Sequence, residues 1–294
     1  MEKLGALIFI DANQYLYLYT IPNSKKLIDY FLEQQEYIFI TAQVVKEVQR
    51  NKLRISERFL IEQIKKLDIS IPDYLNIAGK TASNLRSQIK DIKREIENAA
   101  IQTLQCISRS EDEVSKAVAS LFNKALAHTP EEIERARTRK ERGNPPGKPE
   151  NTLGDQLTWE QLLSACHDKT KLWIISNDSD YSIKYQDKLF LNPFLYQDII
   201  RLDNSTLSNN VFCFDKIFGG IKNFITVTEV QAKNSPTEED SREIEEELDK
   251  LPPPGWLSYY RSDSSYNKMF QDIQRSKDFV EAIDTRLSSS FYQF

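Results

Sequence analysis

Histidine is nearly missing from this chain: 294 residues contain two, His128 and His167. Zinc hydrolases and histidine-based triads need more imidazoles, or better-placed ones, so both chemistries are set aside. His128 is expected to end a surface helix, and His167 to cap the helix that starts near Gly154. Cysteine is scarce too. Cys106, Cys166 and Cys213 are far apart, show no CxxC pairing and are odd in number. This argues against a disulfide framework or thiolate metal site and for thiols used as small core hydrophobes in a reducing compartment. Long apolar runs are also lacking, since none approaches the ~18 residues of a membrane span. The opening MEKLGALIFID is too short, and too soon broken by an aspartate, to read as a signal peptide. The expected location is the cytoplasm, with no membrane partner.

What is present is ordinary for a soluble globular protein: 40% hydrophobic and 28% charged residues, with a formal net charge of −5. The length holds one large domain or two small ones. Leu7–Ile10 is wholly apolar, as expected of a strand buried on both faces of a parallel sheet. A helix from Pro22 to Gln34 and a strand at Tyr37–Ile40 follow. Thr41 then reads as the N-cap of a helix running to about Asn51. This strand–helix–strand–helix opening predicts a parallel α/β fold. From Leu53 to His128 glycine almost vanishes and apolar residues recur at helical spacing. A helical insertion of about three helices is predicted there, broken at Ile69–Pro72 and Gly79. A charged helix, Glu131–Arg142, extends the insertion to about residues 53–142. GNPPGKP (143–149) is a stiff loop. Strands are predicted at Leu172–Ile175 and Leu189–Leu191, and Val211–Phe224 reads as a helix or irregular segment. The chain is thus divided into a main domain (1–228), an acidic solubilising linker (229–255) and an appended element (256–294).

The chemistry is expected from acids at element ends. Asp11 closes the LIFI strand, and Asp178 and Asp180 follow the Leu172–Ile175 strand. Parallel strands end on one edge of a sheet, where open α/β folds keep their sites. Glu47, two turns into the Thr41-capped helix, and Asp155, in the first turn of its own helix, can face the same edge. Singly, each has a plainer use. Asp11 could cap a helix, Glu47 could be a surface charge, Asp155 could favour a helix dipole, and Asp178 and Asp180 could shape a turn. Together they form a carboxylate cluster that repels itself until a hard divalent cation such as Mg²⁺ or Mn²⁺ enters. Such an ion polarises a phosphoryl oxygen and activates water, so phosphodiester hydrolysis without a covalent intermediate is the expected reaction.

The ordered set LIFID (Asp11), TAQVVKEV (Glu47), GDQLTWEQLL (Asp155) and ISNDSDY (Asp178, with Asp180 auxiliary) resembles the PIN-domain ribonucleases over roughly residues 4–203. The GNPPG loop before GDxxxW resembles a bacterial PIN-like subfamily. The resemblance implies a three-layer α/β/α fold with a mostly parallel sheet of four to five strands. It also implies an Mg²⁺- or Mn²⁺-dependent endonuclease that acts on RNA ahead of DNA and leaves a 5′-phosphate and a 3′-hydroxyl. In this reading Asp11, Asp155 and Asp178 bind metal, Glu47 binds metal or positions water, and Asp180 supports the metal site. Homodimers and a role in toxin-type growth control or phage defence are further implications. Two rivals are carried forward: an inactive PIN-like scaffold that binds a regulatory partner through the insertion or tail, and a Mg²⁺-dependent phosphatase. The phosphatase is disfavoured because the first strand ends in DAN rather than DxD.

Phosphate contacts dominate nucleic-acid affinity, so lysines and arginines near the cleft are the candidates for binding. Arg135, Arg139 and Arg142 share a helical face just before the Asp155 helix, and Lys148 lies in the stiff loop. Asn13 and Asn177 flank the acids and could orient water or phosphate; Ser176 is a weaker candidate. Trp159, one turn past Asp155, is expected to anchor its helix in the core. One of Tyr15, Tyr17 and Tyr19 is a candidate to line the cleft.

Overall fold

The computed structural model describes residues 5–21, 24–74, 82–147, 153–230, 232–233 and 237–249. In chain order the elements are β1 (Ala6–Ile10), α1 (Ala12–Tyr17), α2 (Ser24–Leu32), β2 (Ile38–Phe39), α3 (Ala42–Lys65), α4 (Ala82–Ser108), α5 (Glu113–Phe122), α6 (Pro130–Glu141) and α7 (Gly154–Ala165). They continue with β3 (Lys171–Ile175), β4 (Ser182–Tyr185), β5 (Lys188–Leu191), α8 (Pro193–Ile200), α9 (Ser205–Ser208), β6 (Val211–Phe214), α10 (Ile217–Thr228) and α11 (Glu238–Asp249). Lys148, the Gly79 break and the appended element 256–294 lie outside the described residues.

β1 and β3 form the centre of a four-stranded sheet of order β2-β1-β3-β6, parallel throughout. All five residues of β1 are buried, and so are Leu172 to Ile175 of β3. Strands this apolar need cover on both faces, and the helices supply it. Trp173 of β3 packs against Phe212 and Phe224, and Trp159 of α7 is fully buried beside Tyr181. Trp159 is therefore the core anchor that its position predicts.

Three predicted elements differ. The Thr41-capped helix, with Thr41 Oγ1 accepting from the Val44 amide at 3.1 Å, does not stop near Asn51. It has no glycine or proline to end it and runs to Lys65, so the insertion grows directly out of the helix that carries Glu47. The Leu189–Leu191 strand pairs with β4 in a separate antiparallel hairpin, not with the main sheet. The fourth place in the sheet is taken by β6, in a stretch expected to be helical or irregular; its β-branched and aromatic VFCF sequence favours a strand. The cysteines also divide. Cys166 is buried, with burial pushing its thiol up to about 12, whereas Cys106 is on the exposed face of α4 and is no core residue. His128 lies in the connection between α5 and α6, just before the Thr129 cap, not at a helix end. In the acidic 229–255 stretch, α11 buries Ile244.

Below the sheet edge, α6, α7 and α8 are joined by buried charge. Arg139 is 8% exposed and donates to Glu160 at 2.7 Å, Asp198 at 2.7 Å and the Pro145 carbonyl at 2.7 Å. Trp159 Nε1 also donates to Asp198, at 3.2 Å. Arg139 is thus not a phosphate ligand as expected from its helical face. Its guanidinium is committed to two buried carboxylates and to the GNPPG loop. Removing one member of such a set leaves charge buried and uncompensated, a loss of about 3–5 kcal/mol. Arg139→Ala should lower stability by that amount in chemical denaturation, while the exposed Arg142→Ala should change it by less than about 0.5 kcal/mol.

Candidate metal centre

The site is built by the ends of β1 and β3. Their register pairs Ile10 with Ile175, and the Asp11 amide donates to the Ile175 carbonyl at 3.0 Å. Both chains leave the sheet at one level, so Asp11 and Ser176 stand side by side. The Ser176 hydroxyl donates to Asp11 Oδ2 at 3.0 Å and accepts from the Asp178 amide at 3.1 Å. Asn13 Nδ2 reaches the same Asp11 oxygen at 3.4 Å. Asp11 Oδ1 accepts from the Ala12 amide at 2.8 Å, so this residue also serves as the helix cap of the plainer reading.

Glu47 and Asp155 arrive on two helices. A Cβ on Gly154 would stand 2.5 Å from Nε2 at the tip of the Gln43 side chain, so the start of α7 lies directly against α3. Gln43 and Glu47 are four residues apart and share a helix face, and Asp155 is next to Gly154. The close approach therefore brings the two acids to a common edge. The GNPPG loop covers this junction. Its Pro145–Pro146 peptide is cis, and Gly147 has φ +93°. Gly147 packs where a Cβ would strike Gln156 and Asp155, and its amide donates to Asp180 Oδ2 at 3.0 Å. Asp180 thereby holds the loop against the site.

The electrostatics agree with this convergence. Burial, then Glu47, Asp155 and Asp178, raise the Asp11 carboxyl well above its usual range, against a lowering by the Ser176 hydrogen bond. Asp155 is raised to about 7, by burial first and then by Glu47, Asp178 and Asp180. Glu47 is raised by burial and by Asp178, with Arg50 opposing. Each of these carboxyls resists ionising first because it is buried and then because other acids are near. Among the described residues, no group of three or more histidine, cysteine, aspartate or glutamate side chains is already placed to hold a metal ion. The donor set itself is all carboxylate oxygen, which fits a hard ion that keeps several of its own waters and needs few protein ligands.

A family model for the PIN domain matches residues 8–181, more than half of the chain and all five acids. The chain belongs to the PIN-domain family. No curated protein and no solved structure matches it. Membership gives nuclease chemistry on nucleic acid in general terms, with divalent-metal use as the family's habit. The four-stranded parallel sheet flanked by helices is the α/β layering expected of a PIN-like fold. No helix among the described residues is long and apolar enough to cross a membrane.

Not every expected residue of this PIN domain reaches the cleft freely. Asn177 Nδ2 donates to the Tyr17 hydroxyl, and its buried Oδ1 has no partner among the described residues. Arg135 is half-exposed but bound to Glu160 at 3.0 Å and Ser164 at 2.9 Å. Arg142 is exposed at the end of α6. Two neighbours of the site escaped the sequence reading. Tyr181 is buried and senses Asp11, Asp155, Asp178 and Glu47, which together with burial hold its hydroxyl well above the usual range. Its signal was the tyrosine closing ISNDSDY. Asp215 follows β6 at the same sheet edge and pairs with Lys184 at 2.7 Å. VFCF followed by Asp repeats the layout of LIFI followed by Asp, so Asp215 was visible in principle.

Between pH 3.8 and about 7 the folded chain keeps a proton on Asp155 that the unfolded chain has lost. Metal-free stability should therefore fall as pH rises through that window. Melting curves in chelator across the window should show the decline. Asp155→Asn should flatten it and raise the melting temperature at pH 8 by roughly 2–4 °C, the shift that ~1 kcal/mol gives a chain of this size.

Proposed function

We propose that this PIN-domain protein is a Mg²⁺- or Mn²⁺-dependent endonuclease that hydrolyses RNA to 5′-phosphate and 3′-hydroxyl ends. The observation that carries the reading is the gathering of Asp11, Glu47 and Asp155 at one edge, where burial first, and then neighbouring acids with Asp178 acting on all three, raise their carboxyls. A stable fold gains nothing from desolvated like charges; a divalent cation turns the same arrangement into a binding site. The bound ion would supply a Lewis acid for a phosphoryl oxygen and lower the pKa of an attacking water.

The chain's own residues have separable parts in this reading. Asp11, Asp155 and Asp178 hold the ion, and Asp180 supports them by fixing the GNPPG loop. The hydrogen bonds from Ser176 and Asn13 fix the Asp11 carboxylate in one orientation. Glu47 orients the water or contributes to the ion. Its raised pKa makes it a better proton acceptor near neutral pH than an ordinary glutamate. The water oxygen becomes part of the 5′-phosphate, its proton passes to Glu47, and the P–O3′ bond breaks as the 3′ oxygen takes up a proton from solvent. Arg142 and Lys148 are proposed to neutralise backbone phosphates. Residues 1–228 are proposed as the nuclease domain, with the stretch to residue 255 as a linker.

The test is cleavage of end-labelled RNA with Mn²⁺, alongside single-stranded DNA and a small phosphomonoester. Wild type should cut RNA internally, and chelator should stop it. Asp11→Asn and Asp178→Asn should each lower the rate by roughly 10²–10³-fold, a typical loss for removing a principal electrostatic contact. Phosphomonoester turnover without RNA cleavage would favour a phosphatase, and unchanged cutting by Asp11→Asn would remove the site assignment.

A further inference from the structure

The β4–β5 hairpin begins one residue after Tyr181 and is joined to the acidic segment at its base. The Asn192 amide donates to the Tyr181 carbonyl at 2.8 Å, and Asn192 Nδ2 donates to the Asp180 carbonyl at 3.3 Å. Its register pairs Ile183 with Phe190 and Tyr185 with Lys188. Directly opposed residues share a face, as do residues two apart along a strand. Ile183, Tyr185, Lys188 and Phe190 therefore form one surface. The other face carries Ser182, Lys184, Leu189 and Leu191. There Ser182 is buried, both leucines are partly covered and Lys184 is tied to Asp215.

The outward face is the anomalous one. Ile183 is 65% exposed, Tyr185 68% and Phe190 55%, all on a hairpin of four-residue strands. Single exposed hydrophobics need no explanation, but a contiguous set marks a surface that meets a partner. We infer that this face, Ile183–Tyr185–Lys188–Phe190, is the platform on which single-stranded RNA stacks its bases as it approaches the carboxylate edge. The inference rests on the nuclease reading and names the substrate form that reading leaves open.

Tyr185 and Phe190 occupy diagonal positions, whose backbones lie roughly 7–8 Å apart, and each ring can take the face of a base. Stacking of this kind tolerates any base because every base has a π-face, and it requires strands that are not paired. Lys188, opposite Tyr185, supplies the cation that a phosphate backbone needs. An apolar protein surface seated on the same face would leave that ammonium without a counter-charge. The platform is also fixed to the site rather than hinged from it, through Asn192 at one end and the Lys184–Asp215 pair on its inner face.

The experiment measures binding of a fluorescent, mixed-sequence single-stranded RNA and of its duplex to full-length Asp11→Asn protein. The same measurement is made on that background with Tyr185→Ala/Phe190→Ala, with Phe190→Tyr and with Lys188→Ala. The double replacement should weaken single-strand binding roughly ten- to hundredfold, with duplex binding unaffected. Phe190→Tyr should bind as the parent does. Lys188→Ala should reduce the slope of log affinity against log salt by about 0.7. Both rings are exposed, so thermal melts of the double variant should match the parent. Unchanged single-strand affinity in the double variant overturns the platform, while RNA cutting by wild type keeps the nuclease reading in place. Conversion of a dimer to a monomer at unchanged RNA affinity also overturns it, in favour of a second copy of the chain. Wild-type protein that neither binds nor cuts RNA overturns the nuclease reading and the platform together.

Discussion

Parallel pairing of β1 with β3 runs to Ile10 and Ile175, and one residue later both chains must leave the sheet. That shared exit sets the positions of Asp11, Ser176 and Asp178 in the candidate centre. It puts Asp11 against Ser176 and lets the serine hydroxyl tie Asp11 to the Asp178 amide. Because side chains alternate across a strand, a shift of one residue in this register would exchange the two buried faces, repack the core on both sides and separate Asp11 from Ser176.

Bringing carboxylates together has a cost, and the surrounding structure offsets it locally. Asp180 accepts a backbone amide from the GNPPG loop, Asp11 accepts three hydrogen bonds, and α7 starts directly against α3 at Gly154. Farther from the edge, the Arg139–Glu160–Asp198 set locks α6, α7 and α8 behind the site. The elements that carry the acids are held by the buried core and by balanced ion pairs. Each kind of charge has its place, with balanced pairs beneath the edge and an unbalanced group of acids on it.

Much of this was legible in the sequence, for identifiable reasons. Unbroken apolar runs announced β1 and β3, and an aspartate after each announced the edge. Thr41 announced the start of α3, because its cap is a local interaction. What failed was mostly non-local. The length of α3 was open to a local reading, since no glycine or proline interrupts it before Lys65, whereas the assignment of VFCF to the sheet depends on a free position beside β3. Arg139 looked like a surface cation because its partners, Glu160 and Asp198, lie 21 and 59 residues away. The hairpin strand at Lys188–Leu191 was recognisable as a strand, but its partner was not, since alternation shows the faces and not the neighbour.

The central claim is that these carboxylates are assembled around a place for a divalent cation. Calorimetric titration of Mn²⁺ into the full-length protein at pH 6.5, in two buffers of different ionisation enthalpy, tests it most directly. The account predicts saturable binding with release of protons, because Asp155, raised to about 7, must ionise to serve as a ligand. It also predicts that Asp11→Asn, still folded, loses that binding. Absence of Mn²⁺ binding in wild type, or equal binding in Asp11→Asn, would contradict the account.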